Sequence, residues 1–333
     1  MVILVTGAAG FIGHHVARAL LARGDEVLGL DDLNAYYPPQ LKRDRLAALE
    51  QAPGSNRFRF VEADIADHEA VDSAVAGRRI DRVVHLAAQA GVRHSIENPR
   101  AYARSNLVGH LNILELGRRL QAAHLVYASS SSVYGGNDAL PFSVEDEVAR
   151  PVSLYAATKR ADELMSESYA HLYRLPMTGL RFFTVYGPWG RPDMAVWLFT
   201  EAILAGRPIR VFNDGAMRRD FTYVDDIVAG VLAALDRPPP DDGAAKPGGS
   251  RAPHRVYNLG NSRSEPLLTL IELIEAACGR DAVRVFEPMQ PGDVKDTFAD
   301  IAATTRDLGW RPTTLLEDGI ARFVPWFRAR RGD

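Results

Sequence analysis

The sequence predicts an α/β fold built on a doubly wound parallel sheet. Short β-branched runs, of which residues 2–5 are the first, alternate with helical patterns as far as residue 183. This alternation is typical of parallel strands that are joined by helices. A glycine-rich turn follows the first strand, and an aspartate ends the second. Both features are typical of a Rossmann-type sheet that holds a dinucleotide at the carboxyl ends of its strands.

The glycine-rich turn lies between the first predicted strand and a helical pattern over residues 14–23. Glycines in this position allow a tight turn, close approach of the backbone to a pyrophosphate, and close packing of helix on strand. The helix N-terminus then directs its unpaired N–H groups at the phosphates. Since strand and helix stand in the required order, we expect a nucleotide site here. The predicted cofactor contacts of this turn are Gly7, Gly10, Phe11, Ile12 and Gly13.

The second predicted strand, residues 26–30, ends at Asp31. A carboxylate at this place accepts hydrogen bonds from the ribose hydroxyls of NAD, and it repels the 2′-phosphate of NADP. Asp31 therefore favours NAD as the cofactor. The alternative interpretation is that Asp31 only caps a loop.

Several basic side chains on the first two helices are interpreted as facing solvent. His14 and His15 stand at the start of the first helix, and Lys42, Arg43 and Arg45 lie in a helix predicted over residues 40–51. Polar side chains on a helix most often form the face that is turned away from the core. We therefore assign no function to these five residues.

Two further predicted strands end where a cofactor at the sheet edge would lie. The first, residues 58–64, ends in Asp64, a hydrogen-bond acceptor for the adenine amino group, and Ile65 is placed to pack on the adenine ring. The second, residues 82–88, ends in small side chains that let a cofactor lie across the strand end. Its predicted cofactor contacts are Leu86, Ala87 and Ala88.

A tyrosine and a lysine supply the predicted reaction chemistry. They lie on a helix that follows the strand of residues 124–129 and a run of serines. Their spacing of four places Tyr155 and Lys159 on one helix face, one turn apart. The lysine ammonium favours the phenolate form of the tyrosine, which then acts as a general base. A half-buried tyrosine beside a solvated lysine would show the same spacing, so the surrounding motifs must decide.

The regular alternation of strands and helices loosens after Gly187. A loop is followed by a helix over residues 196–205 and a strand over residues 209–212. Residues 237–254 are rich in proline, glycine, aspartate and alanine, which predicts a mobile surface loop. Because another strand, residues 255–259, resumes at once, this loop is not interpreted as a linker between domains.

The composition excludes several classes of function. The 333 residues carry 39 Lys and Arg against 42 Asp and Glu, without a long basic run, so nucleic acid is not an expected partner. The only cysteine, Cys278, excludes an intramolecular disulfide and a cysteine-based metal cluster, and no histidines have metal-ligand spacing. No apolar run is long enough to span a membrane and no secretory signal is recognisable. We therefore expect a soluble cytoplasmic protein without a metal.

These motifs agree in kind, order and spacing, and the chain resembles the extended short-chain dehydrogenase/reductase superfamily, in its NAD-dependent epimerase/dehydratase family. The resemblance rests on Gly7, Gly10 and Gly13, Asp31, Asp64 with Ile65, residues 85–88, the serines before residues 133–135, Tyr155 with Lys159, residues 219–221 and residues 224–226. Finer motifs are similar to those of UDP-glucuronate 4-epimerases. They lie at residues 33–37, 89–95, 181–188, 190–195 and 289–294.

The resemblance implies the reversible 4-epimerisation of UDP-glucuronate to UDP-galacturonate, through a 4-keto sugar and with tightly bound NAD. In that family Tyr155 would take the proton of the 4-hydroxyl, Lys159 would bind the nicotinamide ribose, and Ser130 would hydrogen-bond the 4-oxygen. Asn106 would join the cofactor-binding set. Residues 1–180 would form the NAD-binding domain and residues 181–333 mainly the nucleotide-sugar domain, with the chain crossing back to the first.

The resemblance also implies a set of substrate contacts: Arg93, Ser131, Ser132, Thr184, Arg191, Arg219 and Asp293. Arg219 matches the arginine that binds the diphosphate. Hydroxyl groups of this set, helped by Arg191, would hold the uronate carboxylate away from the orientation that loses carbon dioxide. Related dehydratases and decarboxylases place carboxylates where this chain has Ser131 and Ser132, which favours simple epimerisation. Arg191 remains open to interpretation as a plain loop residue, and Asp293 as a turn residue.

The same motifs leave three other functions open and favour one kind of assembly. The chain could instead be a UDP-glucose or UDP-galactose 4-epimerase, another NAD-dependent nucleotide-sugar epimerase, or a non-catalytic NAD-binding regulator. The family usually forms homodimers through a four-helix bundle, to which the helices at residues 101–119 and 155–173 would contribute here.

Overall fold

The structure is a computed structural model that describes residues 1–290 and 294–332. Its strands within these residues are β1 Val2–Thr6, β2 Glu26–Asp31, β3 Phe58–Glu62, β4 Arg82–His85, β5 His124–Ser130, β6 Met177–Phe182, β7 Thr184–Tyr186, β8 Ile209–Phe212, β9 Arg218–Arg219, β10 Phe221–Tyr223, β11 His254–Leu259, β12 Glu265–Pro266 and β13 Arg284–Glu287. Its α-helices are α1 Phe11–Arg23, α2 Pro39–Glu50, α3 His68–Val75, α4 Val92–Glu97, α5 Pro99–Tyr102, α6 Gly109–Arg119, α7 Leu154–Tyr173, α8 Ala195–Leu204, α9 Val224–Leu235, α10 Leu267–Cys278, α11 Ala302–Leu308 and α12 Leu316–Arg331. A π-helical segment, Ala103–Val108, joins α5 to α6 without a break.

The main sheet has seven strands in the order β11-β6-β5-β4-β1-β2-β3, and all its pairings are parallel. The order in which strands are added to the sheet reverses between β1 and β4. Such a switch point is where ligands bind in open parallel sheets. Strand β11 comes from the second half of the chain, yet it pairs with β6 in this same sheet. The predicted doubly wound parallel sheet is confirmed.

Helices cover both faces of the main sheet, as the alternation of side chains along β1 illustrates. Ile3 and Val5 belong to one buried layer, whereas Leu4 belongs to the other. Helix α1 packs its apolar side chains into the first layer, and α6 packs into the second. Because successive side chains of a strand point to opposite faces, one short apolar run serves two cores.

Local sequence fixes the ends of the helices that carry the site. Helix α1 ends at Gly24, whose φ of 96° is a left-handed conformation that glycine adopts without strain. Helix α7 begins after Ser153, whose hydroxyl accepts a hydrogen bond from the backbone N–H of Ala156 at 3.1 Å. This serine N-cap places Tyr155 in the first helical turn and Lys159 in the next.

The prediction that these side chains of α1 and α2 face solvent is right for Arg43, which is exposed, and wrong for the other four. His14 and Arg45 are fully buried, and His15 and Lys42 are 4% and 5% exposed. The guanidinium of Arg45 donates to the carbonyl oxygens of Ala9, Trp189 and Gly190 and to the Tyr37 hydroxyl. The loop that follows β7 therefore covers the side of α1 and α2 that the helical pattern alone predicts to be exposed.

Buried histidines should make the stability of this fold depend on pH. Burial lowers the pKa of His14, His110 and His124 to about 3 and that of His15 to about 4. Burial also holds the pKa of His85 well below its ordinary value. Below about pH 6.5 the unfolded chain takes up protons that the folded chain does not, so stability falls as pH falls, by about 1.4 kcal/mol per pH unit for each histidine.

Urea unfolding between about pH 7 and pH 5 measures this slope of the unfolding free energy. His68 lies on the surface, so the variant His68→Gln is the matched control and should leave the slope unchanged. An unfolding free energy that stays constant over this range would contradict the prediction.

Candidate active site

Two clefts meet at the carboxyl edge of the main sheet. The predicted cofactor residues that line the first are Gly7, Gly10, Phe11, Ile12, Gly13, Asp31, Asp64, Ile65, Leu86, Ala87, Ala88, Tyr155 and Lys159. The predicted substrate residues that line the second are Arg93, Ser131, Ser132, Thr184, Arg191 and Arg219. Asp293 lies outside the described residues. Ser130 and Tyr155 line both clefts, so the residues predicted to carry the chemistry lie at their junction.

The glycine-rich turn leaves no room for side chains at two of its positions. Gly7 has a φ of 72°, and a Cβ there would lie 2.8 Å from the backbone nitrogen of Ala87. A Cβ on Gly13 would lie 1.9 Å from the carbonyl oxygen of Gly7. The N-terminus of α1 consequently approaches the first cleft with bare backbone, which suits a phosphate group.

Asp31 lies at the carboxyl end of β2 and is 7% exposed. Its carboxylate accepts hydrogen bonds from the backbone N–H groups of Ala9 and Leu33, at 3.2 and 3.0 Å. The Lys42 ammonium lies 3.6 Å from the same carboxylate. Burial raises the pKa of Asp31, and the charge of Lys42 opposes that rise. A lysine on α2 therefore supports the acid that was predicted to bind ribose.

Strand β3 ends at Glu62, so Asp64 and Ile65 lie in the loop that follows it. One carboxylate oxygen of Asp64 accepts hydrogen bonds from the Arg104 guanidinium at 2.7 and 3.1 Å. Strand β4 ends at His85, which leaves Leu86, Ala87 and Ala88 in the next loop. These contacts thus come from the loops beyond the strands, which is where ligands bind in open α/β sheets.

Asn106 lies in the π-helical segment, is 1% exposed, and does not itself line the first cleft among the residues described. Its amide oxygen accepts from the backbone N–H of Gln89 at 2.8 Å, and its amide nitrogen donates to the Gln89 carbonyl at 3.1 Å. The same nitrogen donates to the Thr158 hydroxyl at 2.9 Å. Asn106 therefore ties the cleft residue Gln89 to helix α7.

The Lys159 ammonium is held from two sides in the interior. It donates to the Ala128 carbonyl and to the Asp162 carboxylate, at 3.0 Å in each case. Asp162 was given no role from the sequence, although it lies three residues after Lys159 and therefore on the same helix face. Near the start of the same helix, the Tyr155 ring meets the ring of Tyr102 edge-on, with 6.0 Å between centroids.

Ser130 ends strand β5 and starts the serine run. Its hydroxyl accepts from the backbone N–H of Ser132 at 3.2 Å and donates to the Ser132 hydroxyl at 3.1 Å. Ser131 and Ser132 belong to a short 3-10 turn, Ser131–Tyr134, that faces the second cleft. Thr184 lies at the start of β7, where its backbone N–H donates to the Asp220 carbonyl at 3.0 Å. Hydroxyl groups from two parts of the chain thus line the same cleft as Tyr155.

Arg191 lines both clefts and is paired with an acid two residues further along the chain. Its guanidinium donates to Asp193 at 3.0 and 2.5 Å, and the Tyr36 hydroxyl donates to the same carboxylate at 2.9 Å. Although burial opposes it, this ion pair raises the pKa of Arg191 and lowers that of Asp193. Both Tyr36 and Asp193 lie within motifs that the sequence singled out, but neither was given a role.

The far end of the second cleft is rich in arginine. Arg219 donates to the carbonyl oxygens of Val294 and Lys295, at 2.6 and 2.8 Å. Arg93 lies over the ring of Phe212 at 4.4 Å, and Arg210 lies over the same ring at 5.0 Å. Arg210 and Phe212 line this cleft but were missed, because a short strand gives no sign of the ligand that its side chains face.

Over the part of the chain that the structure describes, no group of three or more acidic, histidine or cysteine side chains could hold a metal ion. Within the same residues, no helix combines the length and the hydropathy that crossing a membrane requires.

Comparison with known proteins agrees with this geometry. The sequence profile described as "NAD dependent epimerase/dehydratase family" matches residues 3–260. Protein CapI of Staphylococcus aureus is 48% identical over 332 residues, which span 98% of each chain. UDP-glucuronate 4-epimerase 4 of Arabidopsis thaliana is 48% identical over 330 residues, or 98% of this chain and 75% of the relative.

A solved structure extends the likeness to the fold. The UDP-glucuronic acid 4-epimerase of Bacillus cereus, in complex with UDP-glucuronic acid and NAD, is 34% identical with a TM-score of 0.87. The match covers 99% of this chain and all of that one. With a family match over most of its length and relatives of this identity, the chain belongs to the NAD-dependent epimerase/dehydratase family.

Proposed function

We propose that this protein interconverts UDP-glucuronate and UDP-galacturonate by epimerisation at C4, with NAD retained between turnovers. The observation that carries the proposal is the junction of the two clefts, where Tyr155 and Ser130 face both the cofactor side and the sugar side. The relatives named UDP-glucuronate 4-epimerase, which match 98% of this chain, support the choice of sugar.

The residues of the first cleft fit NAD. The bare backbone at Gly7 and Gly13 suits the pyrophosphate, and the buried Asp31 carboxylate suits the ribose hydroxyls. When bound, NAD supplies the acceptor and donor of the hydride that leaves and returns to C4 of the sugar. Helix α1 and the loops after β1, β2 and β4 orient the cofactor and keep it in place.

Gly13→Ala is therefore expected to strip the purified protein of NAD. The added Cβ would lie 1.9 Å from the Gly7 carbonyl oxygen, so the turn must open to accept it. NAD bound per chain should fall at least ~10-fold, which corresponds to ~1.4 kcal/mol of binding free energy. Release of NAD into acid supernatant measures it.

Gly136→Ala is the matched control for this substitution. A Cβ at Gly136 meets only the Val152 side chain, at an ordinary distance of 3.7 Å. Full NAD content in Gly13→Ala would show that the turn does not hold the pyrophosphate.

Tyr155, Lys159 and Ser130 divide the proton chemistry. Tyr155 as phenolate takes the proton of the 4-hydroxyl, and it later returns that proton to the same oxygen. Ser130 hydrogen-bonds the 4-oxygen and steadies it while its charge changes. Lys159 favours the phenolate and reaches the nicotinamide ribose. The same groups serve both directions, so the reaction is reversible.

The sugar side of the junction suits a uronate that must not lose its carboxyl group. A 4-keto uronate is a β-keto acid, and it decarboxylates when its carboxylate stands perpendicular to the carbonyl plane. Ser131, Ser132 and Thr184 offer neutral hydroxyl donors to hold the carboxylate in another orientation. Arg191 carries its charge already paired with Asp193, so it assists without neutralising the uronate fully. Arg219 and Arg93 are left for the nucleotide end, where arginine suits a diphosphate.

The proposal also concerns the assembly and the division of the chain. We assign NAD binding to residues 1–180 and most nucleotide-sugar contacts to residues 181–333, with α9 and β11 crossing back to the main sheet.

We further assign a cytoplasmic homodimer that pairs α6 and α7 with the same helices of a second copy. Support comes from exposed apolar side chains on these helices, namely Leu111, Leu164 and Leu172, and from the exposed Val108 at the end of the π-helical segment before α6. Size-exclusion chromatography with light scattering distinguishes dimer from monomer.

Incubating the purified protein with UDP-glucuronate, without added NAD, tests the function. Appearance of UDP-galacturonate supports both the substrate and the retained cofactor. Turnover of UDP-glucose but not of UDP-glucuronate would favour a neutral-sugar epimerase instead, and a UDP-pentose product would indicate a decarboxylase. No turnover of any UDP-sugar by protein that contains NAD would contradict the proposal.

A further inference from the structure

The ammonium group of Lys159 forms an ion pair with a carboxylate of its own helix, Asp162. Its side chain is 4% exposed and that of Asp162 is 1% exposed, with 3.0 Å between ammonium and carboxylate. The second carboxylate oxygen of Asp162 is buried and has no hydrogen-bond partner in the described part of the chain. Burying such a pair costs desolvation energy, and the Coulomb attraction offsets this cost only when the remaining lone pairs are hydrogen-bonded. A gain in stability therefore does not explain why this ion pair is present.

Other titratable groups face this pair from four neighbouring elements, but those named here are either uncharged or already paired. His85 on β4 and His110 on α6 stay neutral, because burial lowers the pKa of each. Tyr127 on β5 stays protonated, because burial raises its pKa. Glu163, the neighbour on α7, is held by Arg181 of β6 at 2.8 Å. Asp162 is therefore the carboxylate that directly opposes the Lys159 ammonium, whereas the Arg191 guanidinium, which also acts on Tyr155, is paired with Asp193.

We propose that Asp162 is a positioning residue that sets the balance between the phenol and phenolate forms of Tyr155 by partly cancelling the charge of Lys159. The inference rests on the roles given to Tyr155 and Lys159 in the proposed function. An uncompensated ammonium would hold Tyr155 as phenolate, which takes a proton readily but returns it poorly. A reversible epimerase needs both steps. The carboxylate at 3.0 Å weakens the ammonium enough for Tyr155 to give its proton back.

Burial also raises the pKa of Asp162 to about 6, against the opposing effect of Lys159. Asp162 is consequently ionised at neutral pH and becomes neutral as pH falls through this value. Once protonated, Asp162 no longer offsets the charge of Lys159, and the ammonium then favours the phenolate form of Tyr155. This effect opposes the protonation of Tyr155 as the pH falls. Activity should therefore decline gradually on the acid side.

Asp162→Asn separates the charge from the geometry. The asparagine keeps an oxygen that accepts from the Lys159 ammonium, but it carries no charge. The acid limb of the kcat/KM profile for epimerisation should move to lower pH by about 1 unit, the low end of shifts caused by neighbouring charges. The tyrosinate absorbance of the NAD-bound protein, with that of Tyr155→Phe subtracted, should show the same shift.

Two further variants make the test specific. Asp162→Glu keeps the charge and should leave the acid limb in place. Glu167→Gln removes a carboxylate from the same helix, where it faces His254 at 2.8 Å, and should also leave the limb in place. An unmoved limb in Asp162→Asn, or an equal shift in Asp162→Glu, would overturn the inference. Full activity of Tyr155→Phe would instead overturn the proposed function itself.

Discussion

Tyr155→Phe is expected to lower kcat for the epimerisation of UDP-glucuronate by ~10³-fold, within the range for loss of a general acid–base group. Phenylalanine fills the same space at the start of α7 but cannot take or return the proton of the 4-hydroxyl. Water at the junction of the clefts is a poor substitute for the tyrosine, because Lys159 is positioned to favour the ionised form of the Tyr155 hydroxyl and not that of a free water. Binding should change little, so KM should stay within a few-fold of its original value.

The measurement is the initial rate of UDP-galacturonate formation, together with the NAD content of the purified variant. Tyr173→Phe is the matched control, since Tyr173 ends the same helix and is 47% exposed. The control should retain full activity. A Tyr155→Phe variant that holds NAD and turns over at a rate near the original would show that another group moves the proton.

Glu163→Ala is expected to lower the free energy of unfolding by about 3–5 kcal/mol, the usual result of leaving one member of a buried ion pair unpaired. The Glu163 carboxylate accepts from Arg181 at 2.8 and 3.0 Å and from the Ser129 hydroxyl at 2.6 Å. Arg181 is 2% exposed, so it cannot turn to water when its partner is removed. Its remaining contact, to the Tyr134 hydroxyl at 3.0 Å, carries no negative charge.

Urea unfolding of the variants measures this loss. The double variant Glu163→Leu with Arg181→Met should recover much of it, because an apolar pair of similar volume can replace a buried ion pair. Asp72→Ala, which breaks the exposed pair with Arg119, should cost less than about 1 kcal/mol. Equal losses from Glu163→Ala and Asp72→Ala would mean that the buried pair is not held as the structure indicates.

The positions that could be predicted from the sequence are those that depend on local order along the chain. The place of the turn containing Gly7 and Gly13 needs only the strand before it and the helix after it, and the place of Tyr155 and Lys159 on one helix face needs only helical spacing. Asp31 follows in the same way from its position at a strand end. Each of these features leaves its mark within about thirty residues, the length of one βαβ unit.

The wrong interpretations concern surfaces that distant parts of the chain cover. His14, His15 and Arg45 looked exposed because the periodicity of α1 and α2 does not reveal what packs against them. The His15 imidazole bonds to the Pro188 carbonyl at 2.8 Å, and Arg45 bonds to the two carbonyls that follow it in sequence. No local pattern connects these helices with a loop more than 140 residues away. Only the folded chain shows that one loop explains three of the four errors, the fourth being Lys42.

The bonds of Arg45 also limit how the sugar preference of this scaffold could be redesigned. One guanidinium spans the Ala9 carbonyl of the glycine-rich turn and the carbonyls of Trp189 and Gly190, directly before Arg191. In a chimaera that received residues 188–194 from another epimerase, the transplanted loop would have to bond to an Arg45 with which it did not evolve. We expect such a transplant to transfer its specificity only if α2 is exchanged as well, because Arg45 of α2 bonds both to the loop before Arg191 and to the glycine-rich turn.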